Sequence, residues 1–379
     1  MKIGLLLILF IALGLGSCIS SSSNENTEYY SIAIDTTALW VDDEAIVEYS
    51  LENKSGMKVV ILNYGGIISQ IWTKDKLGEL QDVVLGFNDY SSYLKSHPFF
   101  GALVGRYGNR IAKGIFSIED STYTLFTNNG VNHLHGGKRG FDKVIWDVKP
   151  LYEDNALELS YVSVDGEEGY PGNLSVTIIY RLTDENELEI EYQATTDKPT
   201  IVNLTQHSYF NLGVDTDILQ HQIMINADEY LPVDETLIPT GELASVQESP
   251  FDFRAFKEIG QDIDEMDDIQ IARGGGYDHC YVLNKDKELS LAAEVREPES
   301  GRVMKVWTTE PGVQFYTGNF LNGSLEAKWG GNYGKRAGFC LETQHFPNSP
   351  NQPNFPQVTL LPNDRYYTKT VYSFSVKGD

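Results

Sequence analysis

The sequence predicts an all-β protein, built as a large antiparallel β-sandwich with few short helices. Strand-like segments with alternating or β-branched apolar residues follow one another along most of the chain, and short polar turns separate them. Amphipathic helical patterns are scarce, and aromatic residues, which favour strands, make up 12% of the chain. Many strands, many turns and little helix are typical of a sandwich.

The predicted strands begin with KVVILNYGGIISQIW and ALELSYVSV. NLSVTIIYRL and ELEIEYQATT follow, and the turn TDENE between them predicts a hairpin. The later strands are HQIMINADEYLPV, HCYVL, LSLAAEVRE, RVMKVWTTE, VQFYTGN and YTKTVYSFSV. Two segments are candidates for helix: NDYSSYLKS for a single short turn, and FKEIGQDIDEMDDIQIA for a short helix or a loop.

The N-terminal residues are typical of a secretion signal. MKIGLLLILFIALGLGSC has one lysine and then an apolar run from Ile3 to Leu15, which is too short and too early for a membrane span. Its ending, LGSC, resembles the lipobox of bacterial lipoproteins. This resemblance implies a signal peptide over residues 1–17 and lipidation of Cys18. An ordinary signal peptide with an incidental cysteine is the alternative.

The polar, Ser-rich residues 18–29 suit a flexible tether behind the lipid. We therefore expect an exported lipoprotein, anchored on the periplasmic or cell-surface side of a membrane. Residues 30–379 contain no repeat and no linker, which predicts one sandwich domain. We expect the protein to be a monomer. The net charge of −25 argues against nucleic acid as a partner, and leaves the lipid anchor as the only expected membrane contact.

Cysteine and histidine spacing gives little support for a metal site. With Cys18 lipidated, Cys280 and Cys340 remain; we favour two buried free thiols over a disulfide, and no CxxC pair is present. His133 and His135, two positions apart and hence on one strand face, could bind zinc with a third ligand, but no HExxH pattern accompanies them. No calcium-loop pattern is present either, although scattered carboxylates and carbonyls could bind a calcium ion. We predict that no cofactor or metal is required.

Two segments share the tripeptide Thr-Gln-His. In NLTQHSYFNLG, an extended chain places Asn203, Thr205, His207 and Tyr209 on one face, which must meet water or line a cleft. A lone histidine on such a strand is more often structural than catalytic.

In GFCLETQHFPNSPN, Glu342 shares a face with Cys340 and Gln344, whereas His345 points the opposite way. Burial of a glutamate within an apolar segment is costly unless it is paired, so Glu342 is a better functional candidate than His345.

The role of three further residues, structural or functional, cannot be decided from their neighbours in the sequence. Arg106 and Arg110 lie among glycines that allow a ligand to approach the backbone closely, although an arginine is by default a structural ion-pair partner. Asp278 follows three glycines and precedes a strand, where an aspartate is usually a turn former.

Taken together, six segments match one family in order. The chain resembles the aldose 1-epimerases (galactose mutarotases) from about residue 30 to the end. The matching segments are GRYGNRI, NHLHGG, TQHSYFNL, YDHCY, PGVQFYTGN and ETQHFPNSPN. The resemblance implies the galactose mutarotase-like supersandwich. The lipoprotein-type leader is a departure, because many members of the family are cytoplasmic.

The resemblance also implies roles for individual residues. The general acid falls on His207 and the general base on Glu342. The expected sugar-binding residues are Asn109, Arg110, His135, Asp278, Gln314 and, beside His207 on its strand, Tyr209.

The implied reaction is the interconversion of the α and β anomers of a free aldose of the galactose or glucose type, without a cofactor. A glycoside hydrolase or lyase that uses Glu342 and Asp278 is one alternative. A sugar-binding protein without turnover is another. The acidic charge disfavours an epimerase for sugar phosphates.

Overall fold

A computed structural model describes residues 30–213 and 216–377. The predicted signal peptide, Cys18 and the tether lie outside the described residues, so those assignments stay predictions. Among the described residues, no helix has the length and hydrophobicity needed to cross a bilayer.

The predicted all-β class is confirmed, since antiparallel strands dominate the described residues. The strands are β1 Ala33–Val41, β2 Glu44–Glu52, β3 Lys58–Leu62, β4 Ile68–Lys74, β5 Leu80–Asp82, β6 Ala102–Val104, β7 Arg110–Ile111, β8 Ile115–Ile118, β9 Ser121–Thr124, β10 His133–Leu134, β11 Asp147–Leu151, β12 Ala156–Ser163, β13 Leu174–Leu182, β14 Glu187–Thr196, β15 Thr200–Ile201, β16 Thr205–His207, β17 Gln222–Ile225, β18 Ala227–Tyr230, β19 Ala244–Ser245, β20 Lys257–Glu258, β21 Asp278–Leu283, β22 Ser290–Arg296, β23 Arg302–Thr308, β24 Gly312–Tyr316, β25 Cys340–Gln344, β26 Thr359–Leu360 and β27 Tyr366–Val376.

Three sheets form the framework. The largest has nine strands in the order β11-β12-β13-β14-β27-β23-β22-β17-β20, and it contains the predicted hairpin as β13 and β14. Two five-stranded sheets have the orders β1-β2-β3-β4-β5 and β19-β18-β21-β24-β25. Strands β6 and β16 form a separate pair.

One hydrophobic core joins the three sheets, because apolar side chains from each belong to a single buried cluster. Ile178 and Phe374 come from the nine-stranded sheet, Ile71 from the first five-stranded sheet, and Phe315 and Leu341 from the second. Alternation along β24 and β25 places these apolar residues towards the core, and it leaves the opposite faces of both strands for polar groups.

The helices are short. NDYSSYLKS forms a 3₁₀ helix at Tyr90–Leu94, as predicted, whereas FKEIGQDIDEMDDIQIA is helical only in its last part, continuing as α1, Ile269–Gly274. Asp268 begins α1 by accepting hydrogen bonds from two backbone N–H groups, and Gly275 ends it with a φ of 65°. The remaining 3₁₀ helices are Ala112–Gly114, Phe141–Lys143, Glu167–Gly169 and Ser349–Asn351.

Cys280 and Cys340 are both buried free thiols, as predicted.

Candidate active site

Five short strand segments bring the candidate residues to one cavity of about 480 Å³. Strand β16 ends at His207, which pairs with Ala102 on β6. Strands β21 and β25 flank β24 and contribute Asp278 and Glu342. The β7–β10 pair contributes Arg110 and leads into His135. The cavity lining includes seven of the eight predicted site residues: Asn109, Arg110, His135, His207, Tyr209, Asp278 and Glu342.

His207 and Glu342 face each other across the base of the cavity. The distance between His207 Nε2 and Glu342 Oε1 is 3.7 Å, and each side chain is almost fully buried. The second carboxylate oxygen of Glu342, Oε2, has no hydrogen-bond partner among the described residues. An unpaired buried carboxylate oxygen is costly for stability, so its retention points to a role in binding or chemistry.

Burial has opposite effects on the two groups. Burial, reinforced by Asp278 and opposed by Arg110, raises the pKa of Glu342 well above its ordinary value. Burial lowers the pKa of His207 to about 4. Both shifts favour the uncharged forms, so the free site favours a proton on Glu342 and a neutral imidazole at His207.

Strand β25 contacts both nitrogens of the His207 ring. Glu342 approaches Nε2, and Cys340, two residues earlier on the same face, places its Sγ 3.5 Å from Nδ1. The alternation predicted from the sequence therefore brings Cys340 and Glu342 to one side of the strand, where they hold the imidazole between them.

His135 is fixed as a hydrogen-bond donor to the cavity. The backbone N–H of Asn109 donates to His135 Nδ1 at 3.1 Å, and the backbone N–H of His135 donates to the Asn109 carbonyl at 3.1 Å. Since Nδ1 accepts, the proton of the neutral ring lies on Nε2. Burial, with the nearby His207, holds the pKa of His135 well below its ordinary value and keeps this ring uncharged.

Glycine is required beside His135. Gly136 has a φ of 83°, and a Cβ at this position would lie 1.8 Å from the carbonyl oxygen of Gly105. The turn after β10 is thus pressed against the GRYGNRI segment, which explains why glycines accompany the functional residues in both.

The prediction that His133 and His135 share one strand face is wrong. Strand β10 ends at Leu134, and His135 has a φ of 49°, so the strict alternation of a strand does not extend to it. His133 instead contacts the Phe126 carbonyl through Nδ1 and the Tyr170 hydroxyl through Nε2, which gives it a structural role.

Within the part of the chain that the structure describes, one group of residues is close enough together to hold a metal ion: His135, His207 and Glu342, whose ligand atoms lie within 4.8 Å of one another. However, a metal-binding histidine normally donates its other N–H to an acceptor, whereas His135 Nδ1 accepts one. The proton on His135 Nε2 therefore suits a sugar oxygen better than a cation.

Asp278 and Arg110 form the polar wall beside this pair. The Arg110 guanidinium lies 3.9 Å from Asp278 Oδ2, and its Nε donates to Asn129 Oδ1 at 3.1 Å. Burial raises the pKa of Asp278, although Arg110 and a hydrogen bond from Gln314 oppose this shift. Asp278 is therefore a buried strand residue, and the default interpretation of a turn former is wrong.

Gln314 is the one predicted site residue that is not among those lining the cavity. It lies opposite Glu342 in the β24–β25 register, and its Nε2 donates to Asp278 Oδ1 at 2.7 Å. In this structure it supports the Asp278 carboxylate, and its role as a direct sugar ligand stays a prediction.

Arg106 has a structural role, as expected by default, but it fills this role through hydrogen bonds and not through the expected ion pair. Its buried guanidinium donates to the Ser163 hydroxyl and to four backbone carbonyl oxygens, and it does not line the cavity. Arg106 and Arg110, four positions apart, thus have different surroundings.

Aromatic rings form an apolar rim, of which only Tyr209 was predicted from the sequence. The Tyr209 ring is tilted by 30° against that of His207, with centroids 5.0 Å apart, and it meets Tyr316 edge-on. Tyr316 and the exposed Phe320, whose rings are stacked, were not predicted. Flat aromatic faces beside polar groups are typical of ligand pockets. The other lining residues that were missed are Pro98, Phe99, Asn129–Asn132, Leu134 and Glu235–Leu237. The high aromatic content of the chain is the only sequence signal that could have indicated the aromatic residues among them.

His345 directly follows β25 and does not line the cavity, in agreement with the predicted alternation. Its Nδ1 is 2.6 Å from Glu310 Oε2, and its backbone N–H donates to Asn203 Oδ1. Burial alone would lower the pKa of His345, but the Glu310 carboxylate overcomes this effect and raises it.

We expect the His345→Asn variant to retain catalytic activity but lose stability. Glu310 is 1% exposed, and removal of its partner leaves a buried carboxylate with fewer hydrogen bonds. The free energy of unfolding should fall by about 1–3 kcal/mol, the usual cost of such a loss. Urea unfolding measures this, and kcat should stay within about threefold of wild type because no cavity group is removed. Complete loss of kcat in a folded variant would contradict the assignment.

A β-sandwich with a facing carboxylate and imidazole in a polar, aromatic-rimmed cavity defines an enzyme of the acid–base type. Comparisons with known proteins make this specific. A family model described as aldose 1-epimerase matches residues 47–373. The galactose mutarotase of Sus scrofa is 50% identical over 322 residues, covering 84% of this chain and 92% of that protein. The aldose 1-epimerase of Escherichia coli K12 is 39% identical over 344 residues, covering 90% and 98%.

A solved structure agrees with these matches. The aldose epimerase homologue from C. elegans superposes with a TM-score of 0.81 at 30% identity, covering 86% of this chain and 98% of that one. This chain belongs to the aldose 1-epimerase family.

Proposed function

We propose that His207 and Glu342 carry out the reaction of this aldose 1-epimerase, the interconversion of the α and β anomers of a free aldose. The observation that carries this assignment is the 3.7 Å approach of His207 Nε2 to Glu342 Oε1 inside a buried polar cavity. An acid and a base this close together can serve the two oxygens bonded to one anomeric carbon.

Ring opening needs two proton transfers. One group takes the proton from the anomeric hydroxyl, the bond between the anomeric carbon and the ring oxygen breaks, and the other group protonates the ring oxygen. By resemblance to the family, Glu342 takes the first proton and His207 gives the second. The aldehyde then turns about its bond to the next carbon, and reversal of the transfers closes the ring on the opposite face.

The pair needs only one shared proton for this cycle. With the proton on His207, Glu342 is the base; with the proton on Glu342, Nε2 of His207 is the acceptor. Ring opening from either state leaves the pair in the other state, and reclosure restores the first. The pKa shifts described above make the free site favour the proton on Glu342.

The remaining polar groups hold the sugar while charge develops. His135 Nε2–H and the Arg110 guanidinium point donors at the cavity, and Asp278 offers acceptor oxygens to sugar hydroxyls. The rings of Tyr209, Tyr316 and Phe320 offer apolar surface to the sugar ring.

We propose free aldoses of the galactose or glucose type as substrates, supported by the relatives named galactose mutarotase. Polarimetry on freshly dissolved α-D-galactose tests the function: added enzyme should speed the approach to the equilibrium rotation above the spontaneous rate. Binding of galactose without acceleration would instead favour a sugar-binding protein. Release of reducing sugar from an oligosaccharide would favour the hydrolase alternative.

The shared proton also predicts a pH dependence. Because burial lowers the pKa of His207 to about 4, the imidazole stays available as an acceptor until the pH falls to that range. Below about pH 4 the pair carries two protons and has no base, so kcat/KM should decline there. Enzymatic rates, corrected for spontaneous mutarotation at each pH, measure this, and near-ultraviolet circular dichroism confirms folding. A decline centred at the ordinary histidine value of 6.5 would contradict it.

A further inference from the structure

Phe99 is a half-buried aromatic residue that lines the cavity and that no sequence pattern singled out. It lies in the tight turn between Tyr90–Leu94 and β6, where the Ala102 N–H donates to the Phe99 carbonyl. Its φ is 59°, the left-handed region. A bulky residue in this region is uncommon and is held there only by its surroundings.

The Phe99 ring contacts both imidazoles of the site. Its centroid lies 4.7 Å from that of His135 and 5.7 Å from that of His207. The Phe99 and His207 rings are nearly parallel, with an angle of 29° between their planes. The Lys143 ammonium lies 5.3 Å from the same ring centroid. One aromatic ring therefore touches the two histidines and a nearby cation.

The turn itself is bonded to the strand that carries His207. The Gly101 N–H donates to the His207 carbonyl at 3.0 Å, and Gln206 Nε2 donates to the Gly101 carbonyl. The position of the Phe99 ring is thus linked through its own backbone to the backbone of His207.

We propose that Phe99 is a positioning residue: its ring fixes the planes of His207 and His135 and keeps water away from the two imidazoles. On this proposal, the left-handed backbone conformation of Phe99 places its ring against the histidines, and the local strain is tolerated because it allows this contact. The expected effect of Phe99 on kcat rests on the proposed function. Its expected effect on the orientation and hydration of the two imidazoles does not.

The environment of His207 agrees with this role. Burial is the main cause of its lowered pKa. The titratable groups that face it are Glu342, Cys340, His135, Tyr209 and, on the Phe99 turn, His97. Of these groups, an ionised Glu342 would raise the pKa of His207. The exclusion of water acts in the opposite direction and lowers that pKa. Removal of the Phe99 ring should let water reach the imidazole and favour its charged form.

The test uses Phe99→Gly and Phe99→Leu. Glycine removes the ring and accepts a positive φ without strain, whereas leucine keeps apolar bulk without a flat ring. Glu248→Gly is the matched control, because exposed Glu248 also has a positive φ, of 57°, and does not line the cavity. Polarimetry gives kcat and KM, and NMR titration gives the pKa of His207.

For Phe99→Gly we expect kcat to fall by about tenfold, a smaller loss than removal of the acid itself, with little change in KM. The pKa of His207 and the acid limb of kcat/KM should both move to higher pH. Phe99→Leu should lie between wild type and Phe99→Gly in both properties, and Glu248→Gly should match wild type. If glycine prevents folding, the leucine variant still has to show the same direction of change.

A Phe99→Gly variant with kcat within about twofold of wild type and an unshifted His207 would overturn the proposal. Equal losses in Phe99→Gly and Glu248→Gly would also overturn it, since the cause would then be the backbone. If wild type lacks mutarotation but Phe99→Gly still shifts the pKa of His207, the proposed function fails while the positioning role stands.

Discussion

The Glu342→Gln variant is expected to mutarotate galactose at least about a hundredfold more slowly than wild type, the low end of the range for loss of a positioned acid or base. Glutamine keeps the shape of the side chain but cannot carry the shared proton. The loss should appear in kcat, because hydrogen bonds from the amide can still hold a sugar.

The same substitution should not destabilise the fold. Glu342 is 2% exposed, and burial raises its pKa, so at neutral pH folding has to supply the free energy that protonates this carboxylate. A neutral amide of the same shape removes that cost. Thermal unfolding should therefore show a Tm equal to or above that of wild type. Near-wild-type mutarotation by a folded Glu342→Gln variant would show that another group transfers the proton.

The second large effect is expected from His207→Asn. Asparagine can reproduce one hydrogen bond of the imidazole, but it neither gives nor takes a proton near neutral pH. We expect kcat to fall by at least about a hundredfold, as for Glu342, because each group is needed in every ring opening. Polarimetry measures the loss.

His345→Asn is the matched control for this variant. It makes the same substitution in the other Thr-Gln-His tripeptide, on a side chain that pairs with Glu310 and does not line the cavity. If the two variants lost activity equally while both stayed folded, the separate parts given to the two histidines would be wrong.

Strand alternation could be predicted from the sequence wherever the chain is regular. It separates Glu342 from His345, which contact the cavity and Glu310 respectively, and it groups Glu342 with Cys340, which contacts His207. The sandwich class follows from the same periodicity. Family motifs then located seven of the cavity-lining residues, because those residues lie in short local segments.

Irregular backbone explains what could not be predicted. His135 departs from its strand through a positive φ, so strict alternation does not apply to it. Phe99 contacts the histidines from a turn with a positive φ, and no sequence pattern predicts that conformation. The placement of Gln314 behind Asp278 depends on the register between β21 and β24, which only the assembled sheet determines.

The proposed mechanism requires that His207 and Glu342 act as one unit that shares a proton. The most direct test is the polarimetric kcat of the double variant Glu342→Gln/His207→Asn beside the two single variants. If the pair is one unit, the second substitution costs little, and the double variant should be within about threefold of the slower single variant. If the two losses multiply instead, the groups act independently and the shared-proton mechanism is contradicted.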